Sequence, residues 1–292
     1  MNRSYGGQSM IAPLRRVLVK RPDEVFASAD PVIWHYSAKP DLENAQREHD
    51  TFVSIIEDFG VEIIYHDCLQ PERADAIFVF DPVLMTNKGA IMLKMGKSLR
   101  VGEETVMAER LEKLGIPIFD RLSGDACAEG GDLLWINEKT LAVGVGFRTN
   151  IEGLRQLSII LSKLGISVVP VGLPYYRGPD SCLHLLSLIS VVKERLAVLY
   201  QPLISVAFWQ FMKDVGFRFI QVPEKEFTSM APNILTIKPG TCIMLQGNPV
   251  TKQRLESAGC EVIIYEGEEI CVKAEGGPTC LTLPILRSFE SI

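Results

Sequence analysis

The sequence of 292 residues has no apolar run approaching the roughly 20 residues that a membrane-spanning helix requires. Its opening stretch, Met1 to Pro13, lacks the apolar core of a secretory leader. Both absences lead to the expectation of a cytoplasmic protein with no membrane partner. No basic stripe is evident and the net charge is -6, so the chain lacks the surface that phosphate backbones need, and nucleic acid is excluded as the main partner. Small cationic ligands fit this charge better. No Gly/Ser-rich linker or charge block divides the chain, which reads as a single catalytic domain over residues 1–292. Cys-x-x-Cys pairs are missing too. The seven cysteines, at 68, 127, 182, 242, 260, 271 and 280, are odd in number, and several sit in apolar runs such as Thr241-Cys-Ile-Met-Leu245. That is the pattern of reduced, mostly buried thiols in a reducing compartment.

What is present is a repeat. Five times a helix-like stretch meets a glycine and then a strand: at Gly60, Gly115, Gly165, Gly216 and Gly259, spaced about 50 residues apart. The preceding stretches are amphipathic, as in Glu103 to Leu114 with apolar residues at 106, 107, 111 and 114, and each glycine falls where a left-handed helix cap is wanted. Tight polar turns at Asn87-Lys-Gly89, Asn137-Glu-Lys139, Lys193-Glu194 and Lys238-Pro-Gly240 predict a hairpin after the strand in four units. The fifth unit ends in Ile270-Cys-Val272 and Pro278 to Leu283, and the isolated strand Arg15 to Lys20 can supply its missing partner by pairing the two chain ends. Units this small cannot bury an apolar face alone. Five α/β copies closing on themselves therefore share a core, and residues at matching places converge on the axis.

Unusual polar residues recur at the hairpins. The first carries Asp75-Ala-Ile-Phe-Val-Phe-Asp81, the second opens with Glu129-Gly-Gly-Asp132, the third with Cys182-Leu-His184, and the fifth follows Gly276-Gly-Pro-Thr-Cys280. Taken singly, an aspartate here is a cap, a histidine a satisfied core residue and a cysteine inert filling. Recurrence at equivalent places brings two acids, a histidine and a cysteine face to face. A thiolate nucleophile needs a nearby positive charge, and carboxylates oppose its ionisation. The conflict disappears if the carboxylates hold a cation, and guanidinium suits them because it makes paired hydrogen bonds to carboxylates. The glycine pairs permit close backbone approach to a ligand, or else form bulges.

Other groups invite other readings. His66-Asp-Cys68 has the composition of a triad, but neighbours on a strand point to opposite faces, so it is read as a surface or loop coincidence. His49 lies among charges in the helical run Glu43 to Glu57 and is expected to be solvated. Trp34-His35-Tyr36, in an irregular segment, forms a lid or simply packs. Zinc on Cys182, His184 and Cys280 competes with the nucleophile reading, although the usual ligand spacing is absent.

Asp75-x-x-Phe-Val-x-Asp81, Glu129-Gly-Gly-Asp132, Arg148-Thr-Asn150, Leu183-His184-Leu185 and Gly-Gly-Pro-Thr-Cys280 together resemble the guanidino-group modifying enzymes, most closely the dimethylarginine dimethylaminohydrolases. The matches run in order over most of the chain. The resemblance implies the pentein fold, a fivefold α/β propeller, with Cys280 as nucleophile, His184 as general acid and base, and Asp81 with Glu129 as the guanidinium clamp. It places Asp75 at the substrate's α-amino end and offers Arg100 and Arg148 for its carboxylate. No cofactor and no metal are implied, the partner is a small cationic guanidino substrate, and a homodimer is left open. Arginine deiminases and amidinotransferases of this superfamily carry an aspartate two residues after the histidine, where this chain has Leu186, which disfavours both. Many dimethylarginine hydrolases have a glutamate before the clamp aspartate. Here that position is Phe80, read as an apolar wall that favours an N-alkylated substrate. The expected reaction is hydrolysis of an arginine-like guanidino compound through a covalent thiouronium on Cys280, with arginine deiminase, dihydrolase or amidinotransferase as alternatives. A ribosome-binding factor of the same fold is the non-enzyme alternative, and that class lacks the cysteine and histidine.

Overall fold

The computed structural model describes residues 4–290. Residues 1–3, which begin the N-terminal stretch read above, and residues 291–292 lie outside the described residues. Strand β1 (Leu14–Val19) is followed by β2 (Glu62–Tyr65). Then come β3 (Val83–Thr86), β4 (Gly89–Met92) and β5 (Ile118–Arg121), followed by β6 (Leu133–Asn137), β7 (Thr140–Val145) and β8 (Ser167–Gly172). The next group is β9 (Ile189–Lys193), β10 (Leu196–Leu199) and β11 (Arg218–Gln221); β12 (Leu235–Lys238), β13 (Thr241–Leu245) and β14 (Glu261–Tyr265) follow, and β15 (Leu283–Arg287) is last. They form five three-stranded sheets of one design, an antiparallel hairpin with a parallel strand beside its second member. In the fifth, β1 pairs antiparallel with β15 and parallel with β2, so the two ends of the chain complete one sheet as expected.

The glycine junctions have a common cause. All five glycines have φ between 69° and 91°, a region closed to most side chains. At Gly115, Gly165, Gly216 and Gly259 the next residue's N–H returns to a carbonyl of the helix five residues back, satisfying groups that the helix end leaves orphaned. The chain then runs straight into the parallel strand. Hairpin strands are buried throughout in β3, β4, β10 and β13, which accounts for their continuous apolar sequences. Among the described residues, no helix is long and apolar enough to cross a membrane.

Three expectations are corrected. Ile270-Cys-Val272 is no strand: residues Glu268–Val272 form a π-helical turn. The buried Glu48 carboxylate accepts from the N–H groups of Glu269 and Ile270, which removes them from any ladder, and the last strand begins only at Leu283. His49 is not solvated but fully buried on the inner face of helix Leu42–Glu57, and burial pushes it down to about 4. His66 lies in the loop that follows β2, as one of its two readings had it, but is buried rather than at the surface and paired with Gln70 at 3.1 Å.

Candidate active site

The chemistry-bearing residues lie just ahead of the first hairpin strand in each sheet, in tight turns rather than in the hairpins themselves. Asp75 is in the 3-10 turn Ala74–Ile77, and Asp81 precedes β3. Glu129 opens the turn Gly130–Asp132 ahead of β6, and His184 opens the turn Leu185–Ser187 ahead of β9. Cys280 precedes β15. The fourth sheet contributes Asn233 ahead of β12, which sequence reasoning missed. Its signal was the repeat itself, since Asn233, like the others, lies a few residues ahead of the first strand of its hairpin.

These turns enclose a cavity of about 290 Å³ whose walls include Asp81, Arg148, Cys182, His184, Asn233 and Cys280. The glycine pairs are neither bulges nor positive-φ turns. A β-carbon on Gly131 would fall 2.3 Å from the His184 ring, one on Gly276 would strike the Phe78 ring, and one on Gly277 would strike Asn233. Glycine is required so that backbone can lie against these side chains.

His184 is fixed at both ring nitrogens. Its Nε2 donates to Glu129 Oε2 at 2.8 Å, and its Nδ1 lies 3.6 Å from Cys182 Sγ. Burial disfavours the charged ring, but the Cys182 sulfur and the Asp81 and Asp132 carboxylates outweigh it and hold His184 well above the ordinary histidine range. Glu129 has no exposed surface and accepts from His184, Arg148 Nη1 at 3.2 Å and the N–H groups of Gly96 and Lys97. Burial opposes its ionisation, yet the His184 hydrogen bond and the Arg148 charge hold it well below the carboxylate range.

Asp81 accepts from Arg100 Nη1 at 2.6 Å and from the Gly131 N–H at 2.9 Å. Arg100 also donates to Glu103 and to the Phe78 carbonyl, so its guanidinium is largely committed behind Asp81. Cys280 Sγ accepts from Asn233 Nδ2 at 3.4 Å, and the Asn233 Oδ1 takes the Thr279 N–H, which fixes the amide. Burial and the Asp81 charge push the thiol up to about 12, against the pull of His184. The two groups are thus biased in opposite directions, the Cys280 thiol toward its neutral form and the His184 ring toward its charged one.

Two placements change the expected picture. The two-carboxylate clamp has only one member at the cavity wall: Asp81 lines it, whereas Glu129 lies behind His184. Phe80 does not stand beside the clamp; its side chain lines a second, smaller cavity on the far side of the turn. Asp75 accepts from Tyr36 Oη and Lys97 Nζ, both at 2.7 Å. Lys97 also donates to the Trp34 carbonyl and lies 4.9 Å from the centre of the Trp34 ring, so the segment around Trp34 is pinned to the cavity rim. Lys97 was not legible as a site residue. The three groups of the zinc reading line the same cavity, and Asp81, Glu129 and His184 bring donor atoms within 4.8 Å of one another. Both of those carboxylates already face arginines.

Residues 30–287 match the family described as N,N dimethylarginine dimethylhydrolase, eukaryotic. The chain is similar to the N(G),N(G)-dimethylarginine dimethylaminohydrolase of Pseudomonas aeruginosa, 28% identical over 247 residues that cover 84% of this chain and 90% of that protein. Its similarity to the enzyme of the same name from Streptomyces coelicolor is 26% over 279 residues, covering 95% and 100%. In fold it is similar to the Pseudomonas aeruginosa enzyme complexed with citrulline, with a TM-score of 0.77, 25% identity and coverage of 93% and 99%. It is also similar to the N-terminal domain of a cyanobacterial arginine dihydrolase, with a TM-score of 0.79, 21% identity and coverage of 94% and 98%.

Proposed function

The chain belongs to the N,N dimethylarginine dimethylhydrolase family, and on that premise we propose that it hydrolyses an arginine-like guanidino compound of the dimethylarginine type to a ureido product and an amine. The observation that carries this reading is the meeting of Cys280, His184 and Asp81 in one cavity, with His184 backed by Glu129. We read the five sheets as a closed fivefold pentein propeller in one catalytic domain, a reading supported by the pairing of β1 with β15.

Substrate guanidinium sits against Asp81, which faces the cavity with Arg100 behind it. The bound cation offsets the carboxylate that disfavours the Cys280 thiolate, so the thiol releases its proton to solvent only when substrate is present. The thiolate attacks the guanidinium carbon and forms the S–C bond. His184 Nδ1, the ring nitrogen that Glu129 does not hold, gives its proton to the departing amine as the C–N bond breaks, leaving a thiouronium on Cys280. His184 then takes one proton from water as the oxygen attacks carbon; as the C–S bond breaks, the hydroxyl proton of the adduct passes to the departing sulfur, the Cys280 thiol is restored and the ureido product leaves. Glu129 acts through His184, holding the ring and favouring its charged form. Asn233 positions the sulfur. Arg148 lines the cavity with most of its guanidinium uncommitted and receives the substrate carboxylate, while Asp75, anchored by Lys97, meets the α-amino group.

The test is a screen of arginine, mono- and dimethylarginine, with and without an amine acceptor, read by ureido product and released amine. Hydrolysis of methylated arginine supports the reading. Ammonia from free arginine alone points to a deiminase or dihydrolase, and a product containing the acceptor to an amidinotransferase.

A further inference from the structure

The second cavity, about 40 Å³, lies between the five sheets and is lined by residues from each of them, among them Met85, Leu133, Val191, Thr236 and Arg287, together with Phe80. Its walls are apolar except at Ser9, two threonines and one cation. Arg287 is 7% exposed, and its Nη1 donates to the carbonyls of Ala12 and Thr236, both at 2.8 Å. Those two bonds use both Nη1 hydrogens. Nε and Nη2 find no acceptor among the described residues, and no carboxylate there offsets the charge. Burial pushes the guanidinium down to about 9, which leaves it protonated at neutral pH. Among the described residues, the other two deeply buried arginines, Arg100 and Arg148, each face a carboxylate. A buried charge without a counter-charge is costly, and water supplies lone pairs but no charge.

We propose that this cavity binds a small monovalent anion against Arg287. The space exceeds the roughly 10–15 Å³ needed to admit one water and suits a halide or a planar anion of a few atoms. Apolar walls favour weakly hydrated monovalent ions over sulfate, whose second charge would be left unmatched. Ser9, Met10, Trp135 and Val191 line both this cavity and a larger surface groove, which gives an entry path. Because Arg287 ties the last strand to Ala12 near the other chain end, an anion bound there stabilises the seam between the two ends. A ligand that binds only the folded state raises the melting temperature saturably.

The experiment is thermal melting of the full chain in sodium gluconate at constant ionic strength, with gluconate replaced stepwise by bromide. The wild type is expected to gain about 2–4 °C and then level off. Arg287→Met is expected to show no saturable gain. Bromide-soaked wild-type crystals supply a measurement independent of that variant's folding, with an anomalous peak expected beside Nη2. A flat wild-type response, a saturable gain retained by Arg287→Met, or no bromine peak in the cavity overturns the site.

Discussion

Phe80 and Asp81 are neighbours in sequence but face different cavities: Asp81 looks toward Cys280 in the larger one, and the Phe80 side chain lines the smaller one with Arg287. The turn ahead of β3 thus separates a substrate wall from a packing wall. Phe80→Leu should leave the ratio of kcat/KM for methylated and free arginine unchanged while lowering Tm by a few degrees, the usual effect of shrinking a packed side chain. Melting curves beside two-substrate competition check this; a changed ratio with unchanged Tm would return Phe80 to the substrate wall.

Asp81→Asn should act twice. Loss of the charge-assisted contact to guanidinium is worth about 1.5–3 kcal/mol, roughly 10- to 150-fold in KM. The carboxylate also pushes the Cys280 thiol upward, so its removal should shift the thiol downward in the free enzyme. The pH dependence of alkylation at the Cys280 peptide, followed by mass spectrometry, should have a lower midpoint in the variant. An unchanged midpoint contradicts the electrostatic account.

Glu129→Gln keeps the shape beside His184 but replaces the carboxylate 2.8 Å from Nε2 with a neutral amide. The imidazolium loses that stabilisation, so His184 should titrate at lower pH by NMR, and kcat should fall more than KM rises. A pure KM effect would instead put Glu129 in direct contact with substrate.

Acid stability should depend on His49. Its folded value of about 4 lies below the ordinary value of 6.5, so between these pH values the unfolded chain takes up a proton that the folded chain refuses. Stability from this group is intact above about pH 6.5 and falls by up to about 1.4 kcal/mol per unit as pH drops toward 4. His49→Phe should flatten that part of the Tm-versus-pH curve. A parallel curve with the same slope contradicts the assignment.

The repeat was legible because a positive-φ junction demands glycine, and five such junctions at even spacing leave a mark that no packing detail can hide. Pairing of the chain ends was legible for the same reason, since four complete hairpins left one strand at each end unpartnered. Asn233 was not seen because amides are common in loops and it carries no charge; only its register in the fourth unit distinguishes it. His49 was misread because Glu48 and Asp50 gave the helix a charged look, whereas Glu48 itself turns inward to hold the Glu268–Val272 turn. The facing of Phe80 and the retreat of Glu129 behind His184 depend on turn geometry that alternation along a strand does not describe.

If Cys280 carries the reaction, the decisive comparison is ureido product formed from methylated arginine by the wild type and by Cys280→Ser, side by side. The wild type should form ureido product and amine in equal amounts, and the variant, with its melting curve preserved, should be slower by about three orders of magnitude or more. Undiminished product from Cys280→Ser, or none from the wild type with any guanidino compound, contradicts the account.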